Sequence, residues 1–418
     1  MIPAMFCLSK FLSTLLLGLA FCQPLSGQGL QGKVMCGYQG WFRAPADGTG
    51  SGWRHYTENG PFQPGHCTID LWPDVRELPD GDRIPTNFNH PDGSVAEVFS
   101  SVRASTTHLH FRWMKNYGID GAFLQRFVVS TRNPKLRATL DQVLTNCQNA
   151  AQAHGRSWVL MYDLSGLKPG HTQALIDDWK HLTDDIGIKK GAYLAHNNKP
   201  LIALWGLGFN DRPAMLDEWK TLIDFFKNDP TYGGCSVMVG VPTYWRTLRR
   251  DAIEDPALHE LLATVDVISP WTVGRYNSPE AAARYARETL AEDLAWCRER
   301  KIDLLPVAFP GFSWQNMMKI RSKETQLNEI PRLGGQFLWS QAWHARKAGA
   351  DMLYVAMFDE LDEGTAIFKT RSDPPSGASN FVSEPGLPND HYLWLTGKAG
   401  EMFRSGDDPK WSTLPLRE

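Results

Sequence analysis

Four carboxylates crowd into five positions of the segment Phe358-Asp359-Glu360-Leu361-Asp362-Glu363-Gly364-Thr365. Like charges this close resist ionising together once water is excluded, so such a cluster drives its pKa values apart. A pair split in that way can do glycosidic chemistry: one carboxyl, kept protonated, gives its proton to the leaving oxygen, while the other, ionised, serves as base or nucleophile. The same oxygens could instead hold a divalent cation, or the run could be a solvated acidic turn. Gly364-Thr365 closes it tightly, which fits a positioned site better than a loose surface stretch.

Other chemistries find less support. Gly311-Phe312-Ser313-Trp314 lacks the second glycine of a serine-hydrolase elbow. His55, His66, His90, His108 and His110 gather in one stretch without a His-Glu-x-x-His unit, so two or three of them are candidates for polar substrate contacts rather than metal ligands. Cys36-Gly37-Tyr38-Gln39-Gly40-Trp41 has glycines but not the G-x-G-x-x-G spacing of a nucleotide turn. No cofactor and no metal is implied.

The elements that must position the acidic turn follow from periodicity. Short β-branched and aromatic runs alternate with amphipathic stretches, the mark of βα units around a parallel sheet. Strands are expected at Lys33 to Phe42, Gly121 to Phe127, Trp158 to Leu164, Leu201 to Phe209, Ser236 to Thr243, Val265 to Thr272, Leu304 to Phe309 and Met352 to Asp359. Helices are expected near Thr107 to Tyr117, Leu136 to His154, Thr172 to Ile186, Ala214 to Asn228, Ala257 to Ala263, Pro279 to Arg300, Gly335 to Ala348 and Tyr392 to Arg404. In the second of these, Leu136, Leu140, Val143, Leu144 and Cys147 recur at helical spacing. Ser278-Pro279 opens one helix, and Gly155 and Gly349 close two others. Eight such units point to an α/β fold, a single (β/α)8 TIM-type barrel with a long first βα loop, Ala44 to Arg103. A second polar insertion, Thr370 to Asp390, follows the last strand and is expected to cover the same face.

Barrel catalysis comes from strand C-termini. The polar residues there are Tyr38 and Gln39, Gln125 and Arg126, Tyr162 and Asp163, Asn210 and Asp211, Tyr244, Arg275 and Tyr276, and the acidic turn itself. Tyr38, Arg126, Asp163 and Tyr276 are expected to assist that turn. Sixteen tryptophans is a high count, and aromatic faces suit the C–H faces of sugar rings. Trp41, Trp205, Trp245, Trp271 and Trp314 fall near strand ends. Candidate substrate-binding residues are therefore Tyr38, Trp41, Arg126, Asp163, Trp271, Tyr276, Asp359 and Asp362, around Glu360 and Glu363 as catalytic candidates.

Lys10 and the apolar run Phe11 to Phe21, shorter than the roughly 20 residues of a spanning helix, read as a secretory signal over residues 1–29, with residues 30–418 as one catalytic domain. Phe21 is bulky for a lipoprotein site at Cys22, which argues against a lipid anchor. Export, to the exterior or the periplasm, is the expectation. Losing that leader removes one lysine and no acid from a formal charge of −3, a balance that implies neither nucleic acid nor an acidic membrane surface. Cys36, Cys67, Cys147, Cys235 and Cys297 remain, without zinc-site spacing. They are expected to be mostly buried thiols, with Cys36 and Cys67 the one candidate disulfide.

The acidic segment resembles the Phe-Asn-Glu-Trp-His-Glu-Gly-Thr motif of glycoside hydrolase family 99, the endo-α-1,2-mannosidases and mannanases. Gly37-Tyr38-Gln39-Gly40-Trp41-Phe42 is similar to that family's Tyr-containing first strand end, and Asn198-Lys199-Pro200-Leu201-Ile202 to its Gly-Lys-Pro-hydrophobic approach. As a whole the chain resembles the broader family 71/99-like secreted barrels. The resemblance implies that Glu360 deprotonates the substrate 2-hydroxyl, which attacks its own anomeric carbon to give an anhydro-sugar. It implies that Glu363 is acid and then base at the leaving oxygen, with retention. Leu361-Asp362 stand where the motif has Trp-His, and Asp359 where it has Asn. The expected function is a retaining glycoside hydrolase on an α-linked oligo- or polysaccharide, α-mannoside favoured. The alternatives are an α-glucan hydrolase and a non-catalytic glycan-binding barrel.

Overall fold

The computed structural model describes Met1, residues 29–405 and residues 412–417, so the expected signal run and Cys22 lie outside the described residues. The strands are β1 (Val34–Tyr38), the hairpin β2 (Ile84–Asn89) and β3 (Val95–Val98), β4 (Gly121–Phe127), β5 (Ser157–Asp163), β6 (Ala195–His196), β7 (Lys199–Trp205), β8 (Ser236–Pro242), β9 (Val267–Trp271), β10 (Asp303–Leu304), β11 (Val307–Ala308) and β12 (Leu353–Val355). The main sheet runs β10-β9-β8-β7-β5-β4-β1-β12-β11, with neighbours parallel throughout. Only β6 pairs antiparallel, folding back on the start of β7. This is an α/β fold: a curled parallel sheet with helices on its outer side. The ends of that order, β10 and β11, are separated in sequence by Leu305 and Pro306 alone. Leu305 N donates to Ile268 O on one side, while Pro306 O accepts from Tyr354 N on the other.

The strands lie where the β-branched runs placed them, and the ends are informative. The first was expected to reach Phe42 but leaves the ladder at Tyr38, because the next two amides, of Gln39 and Gly40, turn to the Asp359 carboxylate. The helices also match their patterns. Asn133 caps Pro134–His154 through the amides of Lys135 and Leu136, and Gly155 ends it at φ 60°. Ser278 caps the helix starting at Pro279, whose single expected span to Arg300 contains one widened turn at Ala286–Leu290. No helix among the described residues is long and apolar enough to cross a membrane.

Alternation along each strand divides the apolar residues into two layers. Met35, Phe123, Val159, Met161, Leu201, Ala203, Met238, Val267 and Tyr354 fill the concave side. Val34, Cys36, Tyr38, Leu124, Leu160, Tyr162, Ile202, Val239 and Val355 face the helices. Burying such side chains fully gives each about 1.5–3 kcal/mol. The parity also corrects two expectations. Arg126 and Tyr38 are at strand ends, but both occupy helix-facing positions. The Arg126 guanidinium, 2% exposed, donates at 2.7 Å to both carboxylate oxygens of Asp178 and at 2.7 Å to Asp141. The Tyr38 hydroxyl lies 2.9 Å from His110 Nδ1, and burial holds that imidazole neutral by lowering its pKa to about 3. Both residues tie the sheet to its helices rather than meeting a substrate. Trp245 is likewise structural, fully buried and edge-on to Trp296 at 4.9 Å.

All five described cysteines away from the leader are free and buried. The candidate disulfide is therefore corrected: Cys36 lies in the helix-facing layer of β1, whereas the Cys67 thiol sits 3.2 Å from the Ser379 hydroxyl.

Arg126→Met would leave the Asp178 carboxylate buried without its cation, and the expected loss is about 3–5 kcal/mol of unfolding free energy in urea titration. A loss under about 1 kcal/mol would mean that this pair does not hold sheet to helices.

Candidate active site

The acidic turn begins two residues beyond β12, after Ala356 and Met357, and runs across the C-terminal ends of β1 and β12. Its four carboxylates take four different environments. Asp359 is wholly buried, accepting the Gln39 amide at 2.7 Å and the Gly40 amide at 2.8 Å. Burial pushes it up to about 7 although those amides favour its ionised form. With both oxygens committed, it fixes the β1 loop and does not face a ligand, which corrects its expected role in binding. Glu360, 5% exposed, accepts from Gln39 Nε2 at 3.0 Å and from the Thr365 hydroxyl at 2.9 Å. Burial, with the nearby Glu363 and Asp362 charges adding to it, holds Glu360 well above the carboxylate range, against the Thr365 hydrogen bond.

Glu363 keeps an edge to solvent and lines a cleft of about 350 Å³ with Trp41, Arg54, His55, Glu58, Arg321 and Asp362. Burial first, and then the Asp362 charge, lift it to about 7, with Arg321 pulling the other way. Asp362 turns to the same cleft, its Oδ2 3.2 Å from His55 Nδ1 and its Oδ1 buried with no partner. Glu360 and Glu363 titrate as an interacting pair, and with Glu363 protonated the like-charge penalty on Glu360 is relieved.

Long-range contacts hold the turn. Asp70, buried in the first loop, accepts from Ser313 Oγ, Gln315 N and Asn316 N at 2.5, 2.6 and 2.9 Å. Its own amide donates to Leu361 O, and Ser313 N donates to Glu363 O. Gly364, at φ 63°, lies so close to Ser313 that a Cβ would fall 2.9 Å from backbone atoms, so only glycine serves both needs. The first loop is thus not structureless. It carries the β2–β3 hairpin and a ring cluster of Tyr56, Phe62, Trp72 and Phe88. The Thr370 to Asp390 insertion joins it, with Phe381 edge-on to Trp72 at 5.3 Å.

The other expected residues separate by place. Asp163 and Trp271 stand on the concave side of their strands. Asp163 accepts the Ser165 amide at 2.7 Å and is raised by burial, and Trp271 meets Trp205 edge-on at 5.3 Å. Tyr276 packs on Phe309 and Phe337, with its hydroxyl given to Gln341. Trp41 stacks on His55 with centroids 3.9 Å apart. Asp70 was not singled out for the site by the sequence, whereas Gln39 and Gln125 stood among the strand-end candidates and His55 among the histidines expected to supply polar substrate contacts. Gln125 sits on the concave side of β4 within 3.4 Å of the Tyr354 hydroxyl, where alternation from Phe123 puts it in place of Arg126. Among the described residues no three His, Cys, Asp or Glu side chains converge to hold a metal ion.

A carboxyl raised in the fold binds its proton more tightly there than in the unfolded chain. Glu363 therefore costs nothing below about pH 4, where both states are protonated, and destabilises increasingly as pH rises to about 7. Glu363→Gln is expected to gain on the order of 2 kcal/mol at pH 8 and nothing at pH 4 in chemical denaturation. An equal gain at both pH values would show that shape, not charge, is responsible.

No protein-family profile matches the chain, and no curated protein matches it. Among solved structures, it is similar to the family 99 endo-alpha-mannosidase of Bacteroides thetaiotaomicron, at 14% identity and a TM-score of 0.63, over 90% of this chain and 99% of that one. A second structure of that protein, in complex with bis-tris-propane, matches at 14% identity, a TM-score of 0.62 and the same coverage. The sequence resemblance to family 99 is thus matched by a likeness of fold over nearly the whole chain.

Proposed function

We propose that this protein is a retaining glycoside hydrolase acting on an α-linked glycan, an α-mannoside in preference, with Glu360 and Glu363 as its catalytic pair. The observation that carries the reading is the placement of these two glutamates: both are held at raised pKa, one buried and hydrogen-bonded, the other on the cleft wall, at the end of the strand where the family motif puts its pair. The fold shared with a protein described as an endo-alpha-mannosidase supports the same reading. So does the chain link from β10 to β11 through Leu305-Pro306, whose backbone bonds to β9 on one side and β12 on the other, which we take as closure of the sheet into a (β/α)8 barrel. Residues 30–418 form one catalytic domain, and residues 1–29 direct it out of the cytoplasm, where a polymeric glycan would be met.

The division of labour follows from the environments. Glu363 is raised to about 7, so a large share of it, about half, still carries its proton in neutral solution. It is the proton donor to the glycosidic oxygen, and after that transfer the base for the incoming water. Glu360 accepts two hydrogen bonds, from Gln39 and Thr365, which favour its ionised form while Glu363 holds the proton. It removes the proton of the sugar 2-hydroxyl as that oxygen attacks the anomeric carbon. The C–O bond to the leaving sugar breaks as the internal C–O bond forms. Water then attacks the anomeric carbon from the face the leaving sugar vacated, giving a proton to Glu363, while the internal C–O bond breaks and Glu360 returns its proton to the 2-oxygen; the two inversions give retention.

Product analysis on a panel of α-mannans and α-glucans tests the assignment. Glu360→Gln and Glu363→Gln are each expected to lower kcat on the cleaved glycan by about 10³-fold or more, and cleavage at the wild-type rate by either variant removes it from the pair.

The pH profile offers a second check. Because Glu363 must carry its proton, kcat/KM should fall on the alkaline side near pH 7. An alkaline limb at the ordinary carboxylate value of about 4.3 would rule Glu363 out as the acid.

A further inference from the structure

His55 is a histidine that the mechanism above does not use, and three features set it apart from the buried, structural His110. Its backbone stands at φ 61°, a left-handed conformation costly for a β-carbon residue and retained only where surroundings enforce it. Here the antiparallel bridge between Arg43 and Arg54 and the Thr68 hydroxyl, donating to His55 O at 2.5 Å, enforce it. Its ring lies flat on Trp41, at 3.9 Å and 4°. Its side chain remains 38% exposed and lines the cleft beside Glu363, with Arg54, Glu58 and Arg321 around it.

The hydrogen bonding fixes what the ring can do. Asp362 Oδ2, 3.2 Å away, accepts, so Nδ1 carries the hydrogen. Among the described residues no other hydrogen bond joins the ring, which leaves the Nε2 lone pair free on a partly exposed edge. The other Asp362 oxygen is buried and also without a partner, so of the dyad's two unspent acceptors Nε2 is the one that reaches the wall of the cleft. A sugar offers what they lack, since each of its free hydroxyls brings one donor hydrogen.

We propose that His55, carried in by the first loop and aligned by Trp41 and Asp362, is a substrate-binding residue whose Nε2 accepts a hydroxyl of the sugar bound on the Glu363 side of the cleft. The proposal rests on the glycosidase reading for its ligand class. It makes the first loop part of the site, supplying specificity at the position next to the acid.

Two substitutions separate this from a structural role. His55→Asn places an amide nitrogen where Nδ1 lies and tolerates the left-handed backbone, so it keeps the Asp362 contact and loses the substrate-facing atom. His55→Gln keeps a polar atom near the Nε2 position. On the α-manno-oligosaccharide or α-gluco-oligosaccharide that the wild type cleaves best, His55→Asn should melt within about 2 °C of wild type yet lose about 30-fold in kcat/KM. His55→Gln should recover to within about 5-fold. Wild-type kcat/KM in His55→Asn overturns the proposal and leaves the hydrolase reading intact. If the wild type cleaves none of these sugars, the hydrolase reading falls, and titration of tryptophan fluorescence with the same oligosaccharides decides the proposal. Binding by wild type that His55→Asn lacks sustains it, and absence of binding by the wild type overturns it. Should either variant fail to fold, the wild-type His55 Nε2 resonance in ¹⁵N NMR must shift on saturation with the oligosaccharide, and an unmoved resonance overturns the proposal.

Discussion

The structure depends on holding four carboxylates together at the end of one strand with little water among them. An uncompensated buried carboxylate is among the most expensive groups a fold can carry. The surrounding chain answers each one separately. Asp359 receives two backbone amides, Glu360 an amide and a hydroxyl from side chains, and Asp362 an imidazole. Glu363 has the least internal support and the most solvent. What remains uncompensated is expressed as raised pKa values, and that residue of unfavourable energy is what general acid chemistry draws on.

These compensations reach across the whole chain, which explains the architecture around the mouth. The β1 strand stops where it does because its next two amides serve Asp359. The first loop is long because it must bring Asp70 and His55 to the turn and still bury its own aromatic cluster. Asp70 joins three segments: its amide meets the turn at Leu361, its carboxylate starts the short helix Gln315–Ile320, and its carbonyl accepts from Val382 in the last insertion. Loss of any one of these segments would leave polar groups unpaired in the other two.

Much of this fold was legible in sequence, and the limits have identifiable causes. The parallel strands are buried on both faces, so their apolar runs stand out, and the helix ends at Asn133-Pro134, Gly155 and Ser278-Pro279 carry local signals. The acidic turn could be picked out for the same reason, since its composition is local. Tyr38 and Arg126 were misjudged because being near a strand end is not enough. Side chains alternate, and Arg126 is one residue from the concave-facing Gln125. The β2–β3 hairpin escaped notice because the outward positions of its first strand hold Pro85, Asn87 and Asn89, residue types depleted in strands. Asp70 had no local signal at all, and His55 stood only as one of five histidines expected together to supply polar contacts. Their partners lie hundreds of residues away in sequence, and only the folded chain brings them together.

The departures from the family motif also make physical sense in this chain. Leu361, where the motif has tryptophan, is fully buried in the helix-facing core, and its carbonyl accepts from Asp70. Asp362, where the motif has histidine, turns toward the cleft and meets an imidazole there, that of His55. The turn has therefore given up an imidazole of its own and receives one from the first loop. A carboxylate at position 362 does two things that a histidine would not. It orients the incoming ring through Nδ1, and its negative charge helps to raise Glu363. The first loop and the substitution at 362 are thus two halves of one arrangement, and a chain with either half alone would leave a buried carboxylate or an unanchored ring beside the acid.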